Sequence, residues 1–263
     1  MQSIRYCFLL SCALLSMVAG LIYFFIYNAS FNTPLWLFSA MVVWNVLAIF
    51  FLILTYRCYR VGFLLAMLAI VLILRSLGVN QLYALTLPSL SALLFMILLF
   101  FCMVYEDQKK RSLPLSLLEW QLTFIRLLFG LNLAAHCAEK LFAGPAPFHR
   151  DVLDFIYLGV PHPEYMVFLA GLLELGGLIS LSLGFLTRLG AIGTALYLIV
   201  ATVLGHHFSS GYIWASTGGG WEYPMLWILL ILSFAVVGAG TFSVDAAIQA
   251  RCHVPQWIRR LMG

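Results

Sequence analysis

Charge is scarce in this sequence: 14 Lys and Arg and 10 Asp and Glu make up 9% of 263 residues. A soluble domain carries about 25% charged residues, so these side chains cannot cover a water-exposed surface of this size. A cytosolic enzyme, a secreted domain, a nucleic-acid binder and a disordered chain are all excluded. Strands of alternating polarity are missing too, which excludes a membrane β-barrel. The six cysteines form no Cys-x-x-Cys pair, and only Cys137 lies away from the side that holds Cys7, Cys12, Cys58, Cys102 and Cys252. Disulfide exchange by this chain alone is therefore not expected. The sequence also lacks a Gly-rich phosphate loop, a nucleophile motif, and the HxxxH and HExxH metal spacings. No soluble domain is present to hold a flavin or a nicotinamide. Electrons, if they pass, must use a lipophilic carrier or a partner.

What is present is hydrophobic: 63% of the residues are apolar, with a mean hydropathy of +1.03. A crossing of a ~30 Å hydrocarbon core takes about 20 residues. Eight runs qualify: 6–27, 35–56, 61–79, 83–105, 118–142, 164–186, 189–207 and 223–241. The first continues past Ala19 and Gly20 to Tyr27, which is not the pattern of a cleaved signal. The third is the weakest span, because Arg75 falls near its end.

Basic residues orient the runs. With the N-terminus inside, Arg5, Arg57, Arg60, Lys109, Lys110, Arg111, Arg188, Arg251, Arg259 and Arg260 are cytoplasmic, and only Arg75, Lys140 and Arg150 are outside. This bias predicts a bacterial inner-membrane protein with both termini in the cytoplasm. The most polar stretch, 106–117, divides the chain into a four-helix region (1–105), a cytoplasmic linker (106–117), a second four-helix domain (118–246) and an interfacial tail (247–263). In the first half, Asn45 is the main polar residue within a run, and a single amide usually packs helices.

The second half holds ionisable groups inside its runs, which are costly there and normally face a partner or a cavity. Counted at 1.5 Å per residue, Arg126 and Glu174 each lie roughly 13–15 Å from opposite membrane faces. They are expected to form a buried ion pair, whose ordinary role is to hold two helices in register. Gly171 and Gly177 flank Glu174 and admit a close neighbour. At the outer end, His136 and Lys140 sit one turn apart, His206 and His207 close the seventh run, and Glu222 opens the eighth after ASTGGGW. Loop 143–163 adds His149, Arg150, Asp151, Asp154 and His162 above them. His149, His162 and His207 read as solvated interfacial residues. His136, His206 and Glu222 could be imagined as metal ligands, and His136 with His206 as a haem pair. Without ligand spacing, neither a metal nor a haem is predicted.

These elements in their order resemble the DoxX family of small membrane proteins over residues 119–246. The resemblance rests on RLLFG at 126–130, the His136–Lys140–Leu141–Phe142 stretch, Gly-Val-Pro at 159–161 and LAGLLELGGLISLSLGFLTRLGA at 169–191, followed by His206, GGGWE ending at Glu222 and GAGTFSVD at 238–245. The first half has no counterpart in a minimal member. The resemblance implies a four-helix bundle and a link to membrane redox chemistry, since relatives include the membrane subunit of thiosulfate:quinone oxidoreductase and proteins of oxidative-stress complexes. It places Arg126, His136, Lys140, Glu174, Arg188, His206, Glu222 and Asp245 at family-typical positions. Arg188 also fits a positive-inside anchor. Asp245, just after a Ser243 N-cap, fits a helix-dipole role.

The expectation is an all-α integral membrane protein of about eight transmembrane helices whose last four form a DoxX-like bundle. It would act as the membrane subunit of a quinone-linked oxidoreductase, on a small reductant such as a sulfur species or in oxidative-stress defence, with quinone as cofactor. The bilayer and a partner redox subunit are the expected partners, and nucleic acid is not. The expected working residues are His136, Lys140, Glu222 and His206. The alternative is a non-enzymatic membrane scaffold or a small-solute transporter.

Overall fold

The computed structural model describes residues 4–31, 33–109 and 114–263. All regular structure among them is helical: α1 (Ile4–Phe31), α2 (Leu35–Arg57), α3 (Tyr59–Val79), α4 (Thr86–Gln108, after a 3-10 turn at Tyr83–Leu85), α5 (Leu117–Leu141), α6 (Pro145–Tyr157), α7 (Pro163–Leu183), α8 (Thr187–Leu204), α9 (Glu222–Val237), α10 (Val244–Gln249) and α11 (Gln256–Met262). Six stretches are long and apolar enough to cross a membrane: Ile4–Ala29, Leu35–Arg57, Tyr59–Val79, Tyr83–Gln108, Pro163–Leu183 and Thr187–Leu204. The chain is a multi-pass all-α membrane protein. The other two expected spans differ in kind. α5 has the length, 25 residues, but Arg126, Asn132 and His136 interrupt its apolar character. α9 is largely apolar after Glu222 but has only 16 residues, about 24 Å at 1.5 Å per residue.

The chain forms two compact units, residues 1–121 with 142–145 and residues 122–141 with 146–263. The division falls at the start of α5 rather than within 106–117, of which residues 110–113, including Lys110 and Arg111, lie outside the described residues. α4 runs on through Glu106–Gln108, and Trp120 of α5 is tied to it. The Trp120 indole donates to Asp107 Oδ2 at 3.1 Å, and its ring meets Phe100 edge-on at 5.5 Å.

In the first unit α1 packs on α2 and α4, and α3 packs on α2 and α4. A single residue, Cys58, joins α2 to α3. The two backbones come so close there that a Cβ on Gly62 would lie 2.5 Å from Thr55 N. The third run, expected to be the weakest span, is the most enclosed: 61% of its apolar window is buried in α3. Leu64, Ile70, Leu72 and Ile73 are fully covered, because this helix is apolar around nearly its whole circumference. Asn45 is buried and donates to Met41 O of its own helix at 2.8 Å, a structural role.

In the second unit α5 and α7 run antiparallel with a register set by small residues. A Cβ on Gly130 would lie 2.5 Å from Ser182 N, and one on Gly171 would lie 2.8 Å from Lys140 Cβ. α7 begins with Pro163 at its first position, where a missing N–H costs nothing. It ends at Gly184, whose φ of +65° is the left-handed conformation of a helix C-terminus. The chain then turns within three residues into α8, so α7 and α8 form a tight antiparallel hairpin. Segment 143–163, expected as a loop, contains helix α6. The end of the chain forms two short helices, α10 and α11, broken ahead of Pro255. Ser243 caps α10 as expected, accepting from Ala246 N at 3.1 Å.

Candidate functional site

The expected Arg126–Glu174 pair does not form, and helix register is the reason. Arg126 is fully buried. Its guanidinium donates through Nη1 to Leu181 O and, at 3.1 Å, to Ser182 O, and through Nη2 to Phe242 O at 2.7 Å. These carbonyls belong to the last turn of α7 and to the segment before α10. Glu174 lies eight residues earlier on α7, about 12 Å from the level of Ser182. The depth count from each membrane face assumed helices entering at equal heights. Packing instead sets Arg126 beside the end of α7 and Glu174 beside the end of α5.

Asp245 completes the Arg126 end. It is fully buried, and its carboxylate accepts from Leu186 N at 2.9 Å, Thr187 N at 3.1 Å and Thr187 Oγ1 at 3.1 Å. It thus caps the start of α8, in addition to sitting in the first turn of its own short helix. Its backbone N–H donates to Gly184 O at 2.9 Å. One guanidinium and one carboxylate thereby tie α5, α7, α8 and the α9–α10 segment together without a direct side-chain pair between them.

Glu174 has other partners. Lys140 Nζ lies 3.1 Å from Glu174 Oε2 and 3.9 Å from Asp151 Oδ2, and the three side chains are only 11%, 5% and 13% exposed. Glu174 Oε1 accepts from the Tyr197 hydroxyl at 2.5 Å. The Lys140 ammonium also donates to His136 O at 3.3 Å. Burial pushes the Asp151 carboxyl above the usual carboxylate range, against the pull of Lys140 and Arg150. A cavity of about 230 Å³ reaches this cluster at Lys140 and Tyr197 and is otherwise walled by apolar side chains of α6 and the turn after it, α7 and α8, among them Phe155, Leu158, Leu173 and Val200.

Tyr197 was not anticipated from the sequence, although a signal existed. Gly177 packs on Thr194 across the α7–α8 hairpin, and three residues on in each direction the same register sets Glu174 opposite Tyr197. Any pair equidistant from the turn at 184–187 is a contact candidate.

The remaining expected residues separate. His136 lines a second cavity of about 220 Å³ with Leu198 and Thr202 of α8, His207 and Trp214 of the following loop, and Tyr223 and Trp227 of α9. His206 is exposed. It adopts a left-handed φ of +57° in the turn ending α8, where its carbonyl accepts from Ser209 Oγ at 2.7 Å. Its contribution is to the turn, because the left-handed residue that stops the helix directs the side chain away from the bundle. Glu222 is exposed as well: its Oε2 accepts from Trp214 N at 3.2 Å, and its own N–H donates to Tyr212 O at 2.9 Å. Glu222 therefore holds the loop that carries Trp214.

His207, expected to be solvated, is part of the cavity wall. Its Nδ1 is 2.9 Å from Gly219 O. A carbonyl only accepts, so Nδ1 carries the proton and, in the neutral ring, Nε2 holds the lone pair. Its ring packs 5.5 Å from Trp214, which in turn lies 5.2 Å from Tyr223. The glycines at 218–220 serve the loop itself: a Cβ on Gly220 would lie 2.5 Å from Ile213 O. No group of three or more His, Cys, Asp or Glu able to hold a metal ion occurs among the described residues.

The two cavities flank α8 and meet at Ala201; the 230 Å³ one falls wholly within a stretch that matches a family model, whereas Trp214, Tyr223 and Trp227 of the other lie beyond it. Residues 121–207 match the DoxX family model. The match spans a third of the chain and lies almost wholly in the second unit. The match takes in α5 to α8, and with them Arg126, His136, Lys140, Glu174 and Tyr197, whereas Glu222 and Asp245 fall beyond it. It does not reach the first unit. No curated protein and no solved structure matches the chain.

Proposed function

We propose that this protein is an inner-membrane subunit of a quinone-linked oxidoreductase, with the head-group bound in the cavity edged by His136. The observation behind this reading is that cavity's lining: two imidazoles, from His136 and His207, beside the rings of Trp214, Tyr223 and Trp227, with mostly apolar walls elsewhere. A planar ring is held well by offset or edge-on packing against aromatic side chains. Imidazoles can give or accept a hydrogen at a ring oxygen and change charge near neutral pH. At about 220 Å³ the cavity is smaller than the ~300–1,000 Å³ of sites that enclose a whole drug-sized ligand. It suits a single ring whose tail stays in lipid. A bound quinone would supply two-electron, two-proton chemistry. His207, held by Gly219 O, presents Nε2 as an acceptor, while Glu222 fixes the Trp214 wall. Lys140, one turn from His136, is engaged with Glu174 and does not face the same cavity.

The test is solvent extraction of the purified full chain followed by mass spectrometry, alongside binding of an added short-chain quinone. His136→Ala and Trp214→Ala should each weaken binding about tenfold, equivalent to about 1.4 kcal/mol, with the helical content unchanged. Wild-type protein that neither retains nor binds quinone would overturn the reading.

A further inference from the structure

The second unit contains a buried charge imbalance that the quinone cavity does not use. Lys140 supplies one positive charge between two carboxylates, 3.1 Å from Glu174 Oε2 and 3.9 Å from Asp151 Oδ2. Tyr197 contributes a neutral hydroxyl on the other oxygen of Glu174. The remaining titratable neighbours do not balance the charge. Arg150 also acts on Asp151, but it is 60% exposed and lies 4.0 Å from Glu139, so its charge is screened by water and shared. Asp154 beside Asp151 adds a negative charge on the exposed side of α6. His136 of α5 also acts on Asp151, favouring its ionised form when the ring is charged, and Cys137 is a buried thiol. Both Glu174 Oε2 and Asp151 Oδ2 are buried without an aligned hydrogen bond. A buried carboxylate without a counter-charge is costly, and two acids sharing one cation titrate as a unit rather than separately.

We propose that Asp151, Lys140 and Glu174 form a one-proton exchange site linking the 230 Å³ cavity to the polar face of α6. Tyr197 and Lys140 line that cavity, and Asp151 stands on α6 between Arg150 and Asp154. In the resting site one carboxyl holds the proton and the other is a carboxylate paired with Lys140. On release, the O–H bond of that carboxyl breaks, the proton leaves to water at the α6 surface, and the site becomes a dicarboxylate with a net charge of −1. Uptake is the reverse, and no electron moves at this site. The proposal rests on the quinone reading only for its purpose, which is to accept or supply the protons that accompany the head-group's electrons. The site itself exists without quinone.

The experiment is infrared titration of the carboxylic-acid C=O stretch in the full chain, purified free of quinone. Wild type should show a protonated carboxyl at neutral pH that ionises as the pH is raised. Asp151→Asn should remove that titration, and Lys140→Met should move its midpoint upward, because the counter-charge is lost. Because Glu174→Gln can fail to fold, wild type labelled with carboxyl-¹³C aspartate gives a second readout. The titrating band should be isotope-shifted or, where the proton resides on Glu174, keep its position yet lose its titration in Asp151→Asn. No protonated carboxyl in wild type at neutral pH, or a titration unchanged in Asp151→Asn, would overturn the proposal. Quinone binding measured on the same samples separates the two readings, since loss of binding with the titration intact counts only against the quinone site.

Discussion

The two ends of the second unit use the same kinds of residue for opposite purposes. At one end Arg126 and Asp245 are fully buried, and their partners are almost entirely backbone: three carbonyls for the guanidinium, and two N–H groups and a hydroxyl for the carboxylate. Such partners cannot swing away, so this end is a fixed joint. At the other end Lys140, Glu174, Asp151 and Tyr197 pair side chain to side chain beside cavities on both sides of α8. Side chains can exchange partners and protons, and the cavities leave room for a ligand. Buried charge alone therefore does not mark a working site. What distinguishes the two ends is whether the charge is satisfied by backbone or by other titratable groups.

The comparison can be tested by mutation, and the largest effect belongs to the fixed joint. Arg126→Leu should cost about 3–5 kcal/mol, because it strands three buried carbonyls and removes a positive charge that acts on the buried Asp245 carboxylate. Chemical unfolding in detergent would measure this. Arg126 and Glu174 should then behave independently, their double mutant additive within about 0.5 kcal/mol, whereas Lys140 and Glu174 should show coupling of about 0.5–3 kcal/mol. Coupling in the first pair and none in the second would reverse the assignment of partners.

Asp245→Ala should destabilise by about 1–3 kcal/mol, since it leaves the N–H groups of Leu186 and Thr187 unpaired, while quinone binding by the folded fraction stays at the wild-type level. Tyr197→Phe removes a single hydroxyl from Glu174 and should cost about 1 kcal/mol. The same unfolding assay gives its stability, and circular dichroism should find the fold intact. The smallest effect on stability should come from Glu222→Gln, within about 0.5 kcal/mol as for other exposed positions. Its consequence should appear instead as weaker quinone binding, through a loosened Trp214 loop, and by less than the tenfold expected of Trp214→Ala. A stability loss as large as that of Arg126→Leu would make this end a structural joint as well.

The sequence by itself determined the solvent and the class of fold. Long apolar runs with 9% charged residues have no stable arrangement except helices in a bilayer, where every backbone polar group must find its partner inside its own segment. It determined as well which half carries chemistry, because ionisable residues inside apolar runs stand out from composition alone. The Ser243 cap was legible because it depends on neighbours three residues away. Pairing of the charges was not. Whether Arg126 meets Glu174 depends on how far one helix slides along another, and that sliding is set by where Gly130, Gly171 and Gly177 let the backbones approach. Tertiary structure alone decided that Glu174 belongs with Lys140 and Tyr197, that Asp245 caps a helix some sixty residues earlier in the chain, and that His207 lines a cavity while His206 terminates a helix. Each of these depends on helix register and on loop closure, which join residues far apart in the chain and leave no local pattern in its composition.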